Sequence, residues 1–256
     1  MPDETENNKF ELHFSRHILL DQLDVKGVKK IQSSRVLVIG AGGLGCPAVQ
    51  YLASSGIGTL QWVDPDVVDE SNLLRQILFA PDDVGKKKIL AAKSHLERVS
   101  PKLTLILEPV EAHSKNLPDW IKAADIVLEC TDRFKTKQLV NQLCVKIQRP
   151  LVIGSAIQWV GQLLVVEPRL IQEACYACIF DPEENIIDAA CGAYGVFSPA
   201  VGTIGVLQAN EALKIMAGIH ANVGKLLLFD ALKLDFNMIS IKKRKNCPVC
   251  NQKIKF

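Results

Sequence analysis

Residues 35–45 read RVLVIGAGGLG, an apolar run followed at once by glycines at 40, 42, 43 and 45. The run does not alternate with polar residues. It therefore predicts a strand covered on both faces, as in the middle of a parallel sheet. Gly40, Gly42 and Gly45 form G-x-G-x-x-G, with Gly43 as an extra glycine, and the apolar segment 45–55 behind them predicts a helix. Glycine permits the tight turn and lets backbone N–H groups approach a phosphate, to which the helix N-terminus adds a partial positive charge. Asp64 closes the next predicted strand, 59–63, where a carboxylate can accept hydrogen bonds from ribose hydroxyls. Strand, turn, helix and acid together predict a nucleotide site rather than a packing turn, without choosing the nucleotide.

Outward from this unit the pattern alternates. Segments 103–107, 126–129 and 151–153 predict strands, and 21–33, 86–99 and 134–147 predict helices. After residue 155 the rhythm changes to strands at 162–166, 226–229 and 232–241, around a helix at 199–217 that Gly218 should stop. The fold class expected is α/β: a Rossmann-like, doubly wound, mostly parallel sheet with antiparallel C-terminal strands and a structural zinc site. Residues 1–12 are expected to be a flexible tail and 13–256 a single domain, with a nucleotide-binding half (13–155) and a zinc half (156–256).

With 256 residues, 48% of them hydrophobic, the chain can bury a core without disulfides. Its formal charge of +2 argues against a nucleic-acid binder or a membrane-surface protein. The acidic N-terminus lacks the layout of a secretory signal, and the most apolar stretch, 196–216, is broken by polar residues. A cytoplasmic protein is expected, and its eight cysteines then read as metal ligands, core residues or nucleophiles.

The stretch from Asp64 to Gln76, DPDVVDESNLLRQ, bears on the chemistry. Backbone N–H groups already serve a dinucleotide's pyrophosphate, so Arg75, the lysines at 86–88 and Asp132 exceed that need. A triphosphate reacting at its α-phosphate requires cations around the departing pyrophosphate and a carboxylate for Mg²⁺. At these residues the sequence resembles the MoeB/ThiF/HesA adenylyltransferases, relatives of the ubiquitin-activating enzymes. FSRH (14–17), GAGGLG (40–45), DPDVVDESNLLRQ (64–76), VGKKK (84–88), CTD (130–132), GQ (161–162), CYAC (175–178), GVFSPAVGTIGVLQANEALK (195–214) and CPVC (247–250) carry the resemblance in family order.

The resemblance implies that Asp64 holds the ribose, that Asn72, Arg75, Gln76 and Lys88 contact the ATP phosphates, and that Asp132 binds Mg²⁺. It also implies that Arg16 reaches into the neighbouring subunit's site of a homodimer. Arg133 and Lys137 depart from the family, which commonly has Asn and Arg at those places; a lysine keeps the charge but loses the bidentate fork.

Cys175-x-x-Cys178 and Cys247-x-x-Cys250 each have the spacing that lets two thiolates share a metal, and together they complete a tetrahedral zinc site; two disulfides are the alternative. Cys191 lies where ThiF-like members carry a cysteine able to bond to the carrier, against the plainer reading of a passive loop thiol. Cys46, Cys130 and Cys144 read as core residues.

The implied activity is ATP-dependent adenylation of the Gly-Gly carboxylate of a small ubiquitin-fold sulfur carrier, with a separate sulfur donor protein. The carrier is MoaD-type (molybdopterin) or, alternatively, ThiS-type (thiamine thiazole). An NAD-dependent oxidoreductase and a non-catalytic binding subunit stand as rivals of other classes.

Overall fold

The computed structural model describes residues 4–183 and 194–251. Strands β1 (Arg35–Ile39), β2 (Thr59–Val63), β3 (Thr104–Glu108), β4 (Ile126–Glu129), β5 (Leu151–Ile157), β6 (Val160–Val166), β7 (Lys225–Asp230) and β8 (Asp235–Ser240) form one sheet. Their order is β3-β2-β1-β4-β5-β6-β7-β8. The pairs from β3 to β5 are parallel and those from β5 to β8 antiparallel, as the sequence pattern predicts. The chain leaves β1 toward β2 on one side and returns to β4 on the other. This reversal opens a crevice beyond the carboxyl ends of β1 and β4.

Strand β1 divides its side chains between two cores. Val36 and Val38 join one cluster with α3 (Gly45–Ser54) and α8 (Ser198–Ala217). Leu37 and Ile39 join another with α6 (Leu117–Ala123) and α7 (Phe134–Ile147). Burial on both faces is what an uninterrupted apolar run demands. Gly218 ends α8 in the left-handed region, with φ +81°.

Several boundaries differ from the sequence expectation. Helix α1 (Glu4–Ile18) stands where a tail to residue 12 is expected. It is anchored by buried Phe14, whose ring lies under Gly56: a Cβ there would come within 2.6 Å of it. Helix α2 (Asp24–Ser33) starts three residues late. The helix expected over 86–99 is two, α4 (Lys88–Ala91) and α5 (Lys93–Val99). It cannot begin at Lys86, because Lys86 and Lys87 pair with the extended backbone at Val67 and Val68. The β5–β6 hairpin runs further than expected, turning at Gln158 with φ +51°. Strand β8 starts late because Asp230 Oδ1 accepts the N–H groups of Leu232 and Lys233 and holds them in a turn. Among the described residues no helix is long and apolar enough to cross a membrane.

Candidate functional site

The crevice is a cleft of about 530 Å³. Gly40, Gly42, Gly43, Asp64, Asn72, Arg75, Gln76, Lys88 and Asp132 all line it, so residues spread over some ninety positions meet in one place. The glycine turn sits at its floor. Gly40 has φ +103°, and a Cβ there would lie 2.8 Å from the Cys130 carbonyl. Gly45 is beneath the turn rather than on the cleft wall: its Cβ would meet the Gly40 carbonyl at 2.1 Å. Gly40 donates its N–H to Val63 O at 2.9 Å, and the buried Trp62 indole N–H donates to Gly40 O at 3.0 Å.

Asp64 is 6% exposed. Its Oδ2 accepts the Ala41 N–H at 2.6 Å and its Oδ1 the Asp66 N–H at 2.8 Å. Burial pushes its carboxyl above the ordinary carboxylate range, against the pull of the Lys88 ammonium and these two N–H groups.

The three consecutive lysines separate by role. Lys86 pairs with Asp83 at 3.1 Å in solvent, and Lys87 donates to the Pro65 carbonyl. Lys88 alone of the three lines the cleft; it is 6% exposed and pairs with Asp66 Oδ2 at 2.9 Å. Asn72 Oδ1 accepts the Asp69 N–H at 3.1 Å, and Arg75 Nη1 donates to Ser71 O at 2.8 Å. Gln76 is buried, and its Oε1 has no partner among the described residues. Asp132, which is exposed, also lines the cleft.

Other contacts here escape sequence reasoning. Glu129 and Lys137 form a buried ion pair, with the Lys137 ammonium donating also to Thr131 O and Gly154 O at 2.7 Å each. Three donors meet three acceptors. Lys137 is therefore committed to the floor of the cleft. Burial pushes the Glu129 carboxyl up, opposed first by Lys137. Gln208, fully buried in α8, donates to Glu129 O at 2.8 Å, and its amide occupies the space that a side chain on Gly154 would need. A glutamine in the middle of an apolar helix was the available signal. Arg133 pairs with Glu111 at 2.7 Å on the cleft rim.

The four cysteines of the two C-x-x-C pairs converge, with all four Sγ atoms within 4.8 Å of one another. Cys175 and Cys247 are 3.7 Å apart and Cys178 and Cys250 3.4 Å apart, and all are free thiols. Tetrahedral zinc–thiolate bonds of about 2.3 Å imply S···S separations of about 3.8 Å, so the donor set fits zinc and not two disulfides. The Arg244 N–H donates to Cys178 Sγ at 3.4 Å, as suits a thiolate. Cys46, Cys130 and Cys144 are buried, and burial pushes their thiols up, Cys46 to about 12, which leaves them inert core residues.

Arg16 is exposed on α1 and does not line the cleft of its own chain. Cys191 lies outside the described residues.

Backbone N–H groups at a helix start, with two cations and an acid lining the same cleft, can cradle a polyphosphate and its counter-ion. Residues 14–249 match the ThiF family. The chain is 38% identical over 244 residues to the sulfur carrier protein ThiS adenylyltransferase of Escherichia coli (strain K12), covering 95% of this chain and 96% of that protein. It is 40% identical over 252 residues to the adenylyltransferase and sulfurtransferase MOCS3 of Drosophila virilis, where 96% of this chain spans 55% of that longer protein. The crystal structure of E. coli MccB with ATP superposes with a TM-score of 0.77 at 21% identity, covering 98% of this chain and 82% of that one, and shows the same fold.

Proposed function

This chain belongs to the ThiF family, and from that premise we propose that it is an adenylyltransferase. It uses ATP to activate the C-terminal Gly-Gly carboxylate of a small ubiquitin-fold sulfur-carrier protein and releases pyrophosphate. The observation that carries this reading is the convergence of Lys88, Arg75 and Asp132 on the glycine turn within one cleft. Hydride transfer on a dinucleotide has no use for that gathering of charge.

The carrier's carboxylate is ionised at neutral pH, so it attacks the α-phosphorus without a general base. The new bond joins carboxylate oxygen to phosphorus as the bond to pyrophosphate breaks. This chain's part is placement and charge neutralisation. Asp64 holds the ribose; the turn's N–H groups, Asn72, Gln76, Arg75 and Lys88 hold the phosphates. Asp132 would hold Mg²⁺, which when bound neutralises charge on the departing pyrophosphate. Cys175, Cys178, Cys247 and Cys250 would hold zinc, clipping the C-terminal segment to the body.

Arg16, exposed away from its own cleft, acts across the interface of a homodimer. A separate protein donates the sulfur. Two carriers are consistent with the relatives: a MoaD-type carrier for molybdopterin, and a ThiS-type carrier for the thiamine thiazole. The 96% coverage of the ThiS adenylyltransferase gives the second at least equal support. In that route Cys191 is the residue that bonds to the carrier.

ATP–pyrophosphate exchange with MoaD-type and ThiS-type carriers tests the reading. Stimulation by one names the pathway; stimulation by none overturns adenylation. Asp132→Ala should abolish exchange in a folded protein.

A further inference from the structure

Two buried amide side chains on α7 each use one end and leave the other idle. Asn141 has no solvent exposure; its Oδ1 accepts the Tyr176 N–H at 3.1 Å, while its Nδ2 has no partner among the described residues. Gln138, one turn earlier, donates from Nε2 to the Phe180 carbonyl at 2.8 Å, and its Oε1 is likewise buried without a partner there. A half-satisfied buried amide is costly beside an apolar side chain of the same shape. Leucine or methionine would suit a mere packing role better. What the two amides contribute is a fixed place for the backbone they hold.

That backbone, residues 175–180, faces two ways. Cys175 and Cys178 turn their thiols toward the four-cysteine cluster. Tyr176 and Phe180, with ring centroids 4.7 Å apart, line the cleft. Tyr176 also stands 6.2 Å from Phe134, which opens α7 two positions after Asp132. The loop that carries half of the metal ligands is thus also a wall of the nucleotide cleft, and α7 is the bar that joins them.

We propose that Asn141, with Gln138 beside it, is a positioning residue for the cleft. It locks the metal-holding loop to α7, so that cluster, aromatic wall and the Asp132–Phe134 corner keep one geometry for the nucleotide. The inference rests on the adenylation reading. Its rival is that the two amides only hold the fold together.

The test uses Asn141→Leu and Gln138→Met in the full, zinc-loaded chain, with bound zinc counted, thermal melting recorded and MgATP affinity measured by calorimetry. Both variants should retain zinc and melt about 2–12 °C below the unaltered protein, because each leaves one backbone group of residues 175–180 without its side-chain partner. Their Kd for MgATP should rise about tenfold. Unchanged affinity in the folded variants overturns the proposal, whatever the melting temperature does. If Asn141→Leu does not fold, Gln138→Met decides by the same criterion; failure of both to fold also overturns it, in favour of the fold-holding rival. If the unaltered protein binds no MgATP, the adenylation reading itself has failed, which is a separate result.

Discussion

Replacing Lys88 with methionine should separate catalysis from folding. The Lys88 ammonium is almost fully buried, but its partner Asp66 is 57% exposed, with the pair at 2.9 Å. An ion pair with one end in water contributes about 0–1 kcal/mol to stability. Methionine keeps most of the stem's packing and abolishes the cost of burying a charge. Lys88→Met should therefore cost about 1 kcal/mol or less, which for a chain of this size lowers the melting temperature by about 2–4 °C. In the proposed reaction catalysis has more at stake, because the same ammonium lines the cleft in which pyrophosphate charge would develop. Removing one such fixed donor costs about 10²–10³ in kcat, or roughly 2.7–4 kcal/mol of barrier. Carrier-stimulated ATP–pyrophosphate exchange reads the rate and scanning calorimetry the stability. Exchange within threefold of the unaltered protein would show that Lys88 is a packing residue and refute the reasoning. So would a fall in rate explained entirely by loss of folded protein.

A Gly45→Ala variant should lose about 2–3 kcal/mol in a urea titration, since its Cβ would lie 2.1 Å from the Gly40 carbonyl; a loss below the measurement error would mean the turn can yield. Burial holds Asp64 above its ordinary range. Its ionisation is thus disfavoured in the folded state, and the associated stability is present at low pH and lost as pH rises from about 3.9 upward. Across that range the unaltered protein should lose stability relative to Asp64→Asn, and the opposite slope in urea titrations at a series of pH values would contradict the burial argument. Chelation of zinc should lower the melting temperature by roughly 10 °C or more, whereas a preparation with no stoichiometric zinc and an unshifted melt would leave the cysteine cluster as a packing feature.

The parts legible in the sequence are those set by local pattern. The apolar run at 35–39 predicts a strand covered on both faces with a tight glycine turn behind it, and β1 has that burial. The C-x-x-C pairs announced their convergence because each already forms half of a metal site. The illegible parts depend on partners far along the chain. Lys137 stands out in the sequence only as a lysine where the family commonly has arginine, and nothing local shows that Glu129 and the Gly154 carbonyl draw its ammonium beneath the cleft. Nothing local distinguishes Asn141 and Gln138 from solvated amides until residues 175–180 arrive against α7. The segment 86–99 carries a helical pattern throughout, but strand-like pairing at Val67 and Val68 claims its first two residues. The N-terminal segment is polar enough to suggest a tail, and only the seat of Phe14 under Gly56 explains its helix.

The glycine turn is tied down from three sides: Ala41 N–H to Asp64, Gly40 N–H to Val63, and the Trp62 indole to the Gly40 carbonyl. A loop fastened in this way has already surrendered its freedom when the chain folds. An arriving anion meets a backbone whose course is already set and has little left to organise. If ATP binds here as proposed, its capture at this end of the cleft is closer to a coin dropping into a slot than to a hand closing, because the turn has no rearrangement left to make.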